Sequence, residues 1–333
     1  MKKILFSSLK ILVSLAGLGF IVLLFRNRWQ EVLEVLKSFH PGMFLLSIGI
    51  FLIGFAVITL RFQLILGVQK VHLSWWQLFY LNCVGHFFSL FLPSSVGGDV
   101  VKGYYTYKRS GEKVASFTSI FLDRFVGSLA VLSFGLMALF YYGKKLNLIS
   151  LRNWVLLLFA LMVCFIVLLL NKGIANRFRF FSFLIPSRKL KDLFSHAYHS
   201  LNYYKHHKDI LVKVYLLSLI GQVFFISLYY ALALSLDLHI PYLNFFLVIP
   251  IIAVLSLAPS INGLGVREAG FVYLMGRFTG SEQALALSLI YDGLVYGIGI
   301  LFGVWYLFRE GFRYGVVHEA MKLEDEFEKI ETI

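Results

Sequence analysis

Apolar runs long enough to cross a bilayer recur along most of the chain, separated by short polar segments. A spanning helix needs about 20 predominantly apolar residues. Candidates lie near 4–25, 43–66, 114–141, 151–171, 211–236 and 284–308. Two further apolar stretches, about 75–92 and 243–258, each run into a segment rich in proline and glycine. The longest polar stretch is 172–210.

Composition agrees with the pattern. Hydrophobic residues make up 59% of the 333 and charged residues 15%, against roughly half and a quarter in soluble domains. The 34 Phe and 18 Tyr suit lipid-facing helix surfaces and the headgroup level. An ordinary soluble globule or soluble enzyme is excluded. The formal net charge of +13 is distributed between the apolar runs, so it speaks for topology and anionic headgroups rather than nucleic acid. Cys83 and Cys164 both lie inside apolar runs, which indicates neither a disulfide framework nor a zinc site. Met1-Lys2-Lys3 followed by an apolar run to Phe25 looks like a signal peptide at first, but no small-residue cleavage site closes it. It reads as a retained first transmembrane helix.

Charge also orders the spans. The basic stretch 172–210 should be cytoplasmic, as should 61–70, 102–113, Lys2, Lys3 and Lys10. These assignments conflict if every apolar run spans. They agree if 75–98 dips in and returns to the same side and a second re-entrant element, about 243–270, opens on the other. Both termini are then cytoplasmic, in the cell membrane. Arg26, Arg28, Lys144, Lys145 and Arg152 fall outside in this arrangement, against the rule. Residues 1–316 are expected to form one transmembrane domain, and 317–333 an acidic cytoplasmic tail.

An internal echo supports it. Pro93-Ser94-Ser95-Val96-Gly97-Gly98 recurs as Pro259-Ser260-Ile261-Asn262-Gly263-Leu264, half a chain later. The first continues Asp99-Val100-Val101-Lys102, the second Gly265-Val266-Arg267-Glu268. Proline stops a helix, and glycine permits backbone shapes closed to other residues. Corresponding breaks in two halves of a membrane protein point to a transport site. The N–H groups of a broken helix favour an anion such as phosphate, with Ser94, Ser95, Ser260 and Asn262 as further hydrogen-bonding groups. The plain alternative is a pair of ordinary loops, with Asp99 as an N-cap and Glu268 reaching back in a capping box. The expected fold is an all-α polytopic membrane helical bundle, about six full spans plus two re-entrant elements in an inverted repeat.

Ionisable residues within spans are costly and need partners. Asp123 and Arg124 lie in 114–141 and Asp292 in the last span; Asp292 is the expected partner of Arg124 or Arg267. Either these are structural ion pairs, or Arg124 and Arg267 hold a lipid phosphate while Asp123, Glu268 and Asp292 balance charge, meet a cationic headgroup or carry a proton. The candidate lipid-binding set is Ser94, Ser95, Gly97, Gly98, Asp99, Lys102, Asp123, Arg124, Ser260, Asn262, Gly263, Gly265, Arg267, Glu268 and Asp292. Lys102 reads mainly as a basic flank, Arg61 as an interfacial residue, and His86 as a buried, hydrogen-bonded histidine. His196, His199, His206 and His207 lie in a solvated loop without converging Cys or carboxylates, so no metal and no cofactor is expected. Gly293/Gly297 and Gly299/Gly303 allow close helix packing, and a homo-oligomer is left open.

"FFSLFLPSSVGGDVVKGY" from Phe87, "FLDRFVG" from Phe121 and "APSINGLGVREAG" from Ala258 resemble the membrane domain of the lysylphosphatidylglycerol synthase/flippase family, over nearly the whole chain. In that family a membrane domain moves aminoacylated phosphatidylglycerol, and a soluble C-terminal domain makes it. The resemblance implies a stand-alone flippase-like domain without the aminoacyltransferase, not an enzyme, whose lipid is an anionic or aminoacylated phospholipid or a polyprenyl-linked lipid. The alternatives are a membrane-embedded transferase, against which stands the lack of an Asp-x-Asp pair in a loop, and an accessory subunit partnering envelope-lipid synthesis enzymes.

Overall fold

A computed structural model describes residue 19 and residues 21–26, 28–91, 97–144, 147–170, 200–256 and 265–310. Its elements are α1 (Trp29–Lys37), α2 (Pro41–Val68), α3 (Trp75–Phe91), α4 (Gly97–Ser110), α5 (Lys113–Tyr142), α6 (Ile149–Leu170), a 3-10 turn (Tyr203–His206), α7 (Lys208–Ser235), α8 (Tyr242–Leu255), α9 (Val266–Thr279) and α10 (Ser281–Glu310). Among the described residues there is no strand. Helices α2, α5, α6, α7 and α10 are long and apolar enough to cross a membrane, because uninterrupted apolar runs leave the backbone no partner in lipid except itself. They match five of the six expected spans. Most of the first, 4–25, lies outside the described residues, as do the tail 317–333 and most of the basic loop. The protein is a multi-pass membrane helical bundle.

The chain is built twice. Helices α2 and α7 have 28 residues each, α3 and α8 have 17 and 14, α4 and α9 have 14 each, and α5 and α10 have 30 each. The neighbours correspond too: α3 packs on α10 as α8 packs on α5, and α1 covers α10 as α6 covers α5. The two copies run in opposite directions. The His40 N–H donates to the Ser235 carbonyl at 2.7 Å, Gly54 faces Phe224, and Arg61 reaches Ser218 at 3.1 Å. So α2 and α7, the leading helix of each copy, lie antiparallel along their length.

The short helices form two hairpins. At a length of about 1.5 Å per residue, 14-residue helices reach only about 21 Å, short of the hydrocarbon core of about 30 Å. In the first hairpin, Gly98 lies against the Gly85 carbonyl and Ser89 so closely that no Cβ fits there; α4 therefore folds straight back along α3. In the second, Gly270 of α9 packs on Leu255 and Ile252 of α8. The first helix of each hairpin packs along a long helix from the other copy. Tyr80 meets Trp305 near the end of α10, with ring centroids 5.2 Å apart, and further along α3 Leu90 meets Gly299. Likewise Asn244 bonds Tyr142 near the end of α5 at 3.1 Å, and Pro250 meets Gly135 further in. Gly299 and Gly303 thus serve packing, against Leu90 and Phe87, whereas Gly293 and Gly297 are exposed.

Candidate functional site

Each hairpin begins its second helix with a carboxylate at the third position, Asp99 in α4 and Glu268 in α9. Each following long helix carries another near its middle, Asp123 in α5 and Asp292 in α10. These four acids occupy equivalent places in the two copies, and arginines pin each hairpin to its own long helix.

In the first copy, Arg124 of α5 grips Asp99 with two guanidinium nitrogens, Nε at 2.6 Å and Nη2 at 3.0 Å. The Asp99 side chain is 15% exposed and that of Arg124 59%. Asp123, one residue earlier and pointing elsewhere, accepts from Arg61 Nε of α2 at 2.7 Å and lies 3.6 Å from Lys102 Nζ of α4. Arg61 also donates to Ser218 of α7 at 3.1 Å. Lys102 rests over the Phe62 ring, 3.5 Å from its centroid, a contact that stabilises a desolvated ammonium. Gly127 matters here, since a Cβ would come within 3.0 Å of Arg61 Nη1. One turn along both helices, the buried Tyr204 hydroxyl donates to the Ile65 carbonyl at 2.8 Å and lies 3.5 Å from Ser119. Burial pushes this phenol up to about 12.

In the second copy, one arginine serves both acids. Arg267 donates to Glu268 at 2.8 Å and makes a short contact with Asp292. The Glu268 carboxylate also accepts the Gly265 N–H in a short bond. That reach-back is the capping-box half expected at a helix start. Gly265 holds φ at +83°, in the left-handed region that favours glycine. Tyr291 lies 5.3 Å from the Arg267 guanidinium and stacks on Tyr229 with centroids 4.2 Å apart. Arg267 is 11% exposed, whereas Arg124 is the exposed member of the first cluster.

A family model described as the lysylphosphatidylglycerol synthase TM region matches residues 7–303. The chain belongs to that family. Comparison with curated proteins gives no match. Membership of this family carries a membrane-lipid function.

Within this family member, the described candidates Gly97, Gly98, Asp99, Lys102, Asp123, Arg124, Gly265, Arg267, Glu268 and Asp292 fall at the two tips and on the helices they face. Ser94, Ser95, Ser260, Asn262 and Gly263 lie outside the described residues. Asp292 pairs with Arg267, not Arg124. Arg61 is not interfacial: at 7% exposed it is inside the bundle, held by Asp123 and Ser218. Lys102, 5% exposed, is likewise part of the cluster rather than a basic flank. His86 is ringed by Phe51, Phe55 and Phe302 at 5.7 to 5.9 Å and hydrogen-bonds the Val295 backbone, as expected of a buried, bonded histidine, while its Nε2 has no partner. Arg28, out of place by charge rule, is answered by Glu282 at 2.8 Å. Sequence reasoning missed Ser218, Phe62, Tyr229 and Tyr291; the first three stand on apolar faces with no motif, and only Tyr291, beside Asp292, had a signal. Among the described residues no three His, Cys, Asp or Glu side chains converge as metal ligands.

Proposed function

We propose that the chain is a lipid translocator that moves an anionic or aminoacylated phospholipid, or a polyprenyl-linked lipid, between the leaflets of the cell membrane, with both termini in the cytoplasm. One observation carries it: in both halves of an inverted repeat, a hairpin too short to span packs on the long helix of the other copy and is tied by charged side chains to the long helix of its own. Helix breaks at that depth persist only where protein buries them or water reaches them. The two clusters have opposite formal excess. The first joins Arg61, Lys102 and Arg124 to two carboxylates, Asp99 and Asp123; the second sets Arg267 against Glu268 and Asp292. A phosphate suits the first, where the exposed Arg124 fork matches its geometry. An amine or a proton suits the second. The chain makes and breaks no covalent bond in this scheme.

The test is reconstitution into liposomes carrying headgroup-labelled anionic, aminoacylated and polyprenyl-linked lipids, with quenching from one side. The protein should accelerate exchange of at least one, and the Arg267→Gln variant should not. No acceleration of any of the three lipids by a folded protein would reject the proposal, and product formation from a lipid-linked donor would replace it with a transferase.

A further inference from the structure

Helix α7 carries a polar stripe that reaches both clusters. Tyr215, Ser218, Gln222 and Tyr229 follow one another at spacings that keep them on one face of a helix. The Tyr215 hydroxyl lies 2.7 Å from that of Ser133 on α5. Ser218 accepts from Arg61 of the first cluster at 3.1 Å. The Tyr229 ring stacks on Tyr291 with centroids 4.2 Å apart, and Tyr291 lies beside Arg267 of the second cluster. Gln222 stands between, near the middle of the 28 residues of α7. At about 1.5 Å per residue it is about 6 Å along the axis from Ser218 and about 10 Å from Tyr229.

The Gln222 side-chain nitrogen, Nε2, is buried and has no hydrogen-bond partner. A buried donor without an acceptor is costly and rare, and inside a bilayer there is no bulk water to relieve it. Packing does not require an amide here, since a methionine or leucine fills a similar volume without that cost. Nor does the nitrogen serve a neighbouring chain or the surrounding lipid tails, because the protein itself covers it. What remains is an acceptor that arrives within the bundle. The stripe gives its route. It leads from a cluster with excess positive charge to one with excess negative charge. Because Nε2 is covered in this arrangement, the acceptor reaches it once the bundle parts, as passage of a headgroup requires.

We infer that Gln222 binds the phosphate of the translocated lipid midway between the two clusters, its amide N–H donating to a phosphoryl oxygen. The inference rests on the translocation reading and adds the residue that holds the headgroup at mid-depth. A neutral amide suits that place better than a cation would. Its hydrogen bond to an anion is weaker than a guanidinium's, so the phosphate is met there and released again.

The experiment uses the full chain in detergent and follows its thermal midpoint as lipid is added. Short-chain phosphatidylglycerol is compared with diacylglycerol, and a short polyprenyl phosphate with its polyprenol; lipid exchange is measured in liposomes in parallel. The phosphate-bearing member of at least one pair should raise the parent's midpoint. Gln222→Met should need about ten- to a hundredfold more of it for the same rise and should slow exchange. Its lipid-free midpoint should equal or exceed the parent's, because an unpartnered donor has gone. Val223→Met, at an exposed neighbour on the same helix, should change none of these. Should the Met variant fail to fold, Gln222→Asn, which withdraws the amide by one methylene, should show the same weakening. A parent with no phosphate-dependent rise, or a Gln222→Met variant that binds lipid as the parent does, overturns the inference. So does an equal rise with inorganic phosphate alone, which would make the ligand a soluble anion. Binding that depends on Gln222 in a protein that exchanges no lipid would keep this site and reject the transport scheme; exchange that Gln222→Met leaves intact would do the reverse.

Discussion

Asp123 is a hub, and that makes one perturbation sharply asymmetric. It faces Arg61 at 2.7 Å and Lys102 at 3.6 Å, and it is 5% exposed. Asp123→Asn keeps the shape but strands two cations in a low-dielectric interior. Removing one partner of a buried ion pair costs about 3–5 kcal/mol. Arg61→Leu, by contrast, leaves Asp123 and Lys102 as a balanced pair and should cost distinctly less. With roughly 2–4 °C of Tm per kcal/mol in a chain of comparable size, Asp123→Asn should lower the apparent midpoint by roughly 6–20 °C. Cys83 is 0% exposed, so in a Cys164→Ser background a thiol-reactive fluorophore reports unfolding of detergent-solubilised protein. Midpoints are compared at one scan rate, since unfolding of such proteins is commonly irreversible. An Asp123→Asn midpoint within about 2 °C of the parent, or one no lower than that of Arg61→Leu, would refute the hub.

Gly98→Ala drives a Cβ into the Gly85 carbonyl and Ser89; it should cost about 1–3 kcal/mol and stop lipid exchange, whereas Gly42→Ala, with open space around it, should leave both midpoint and exchange intact. Arg124→Gln removes a pair whose arginine is 59% exposed, so its midpoint should move by no more than about 1 kcal/mol equivalent while exchange in liposomes is lost. Tyr204→Phe loses the bond to Ile65 and should cost about 1 kcal/mol near neutral pH. The folded protein holds this phenol at about 12, above its ordinary value of about 10. The parent should therefore lose stability as pH rises between the two values, and the Phe variant should not lose that part, as midpoints measured across the alkaline range will reveal.

Much of the architecture was legible because lipid imposes a simple rule. The apolar runs at 43–66, 114–141 and 211–236 became α2, α5 and α7 with their ends shifted by a few residues, since a helix in hydrocarbon has no cheaper alternative. The hairpins were legible from the clash between two short apolar stretches and the charge rule, and in sequence a Pro/Gly segment separates the two helices of each. The charged partners were only partly so. Arg267 and Asp292 are 25 residues apart on sequential helices, and their pairing follows from folding α9 back onto α10. Arg61 was misread because an arginine near a span end usually reaches for the headgroups. Its place inside depends on Asp123 and Ser218, which packing of α2 on α5 and on α7 brings from 62 and 157 residues away. No local pattern carries that information.

The decisive question is whether water reaches the middle of the bundle beside Arg124, since a headgroup cannot pass through a dry one. Ser128 is exposed one turn from Arg124, at the centre of α5. Cys164 is exposed on α6, nearer its C-terminal end, within the apolar run Leu161-Met162-Val163-Cys164-Phe165-Ile166-Val167 that hydrocarbon would cover. A membrane-impermeant maleimide, applied to the protein in vesicles, needs a hydrated thiolate to react. A cysteine replacing Ser128 should label readily while native Cys164 stays unreactive; two equally inert thiols would mean a dry groove and would contradict passage of a lipid headgroup between the hairpins.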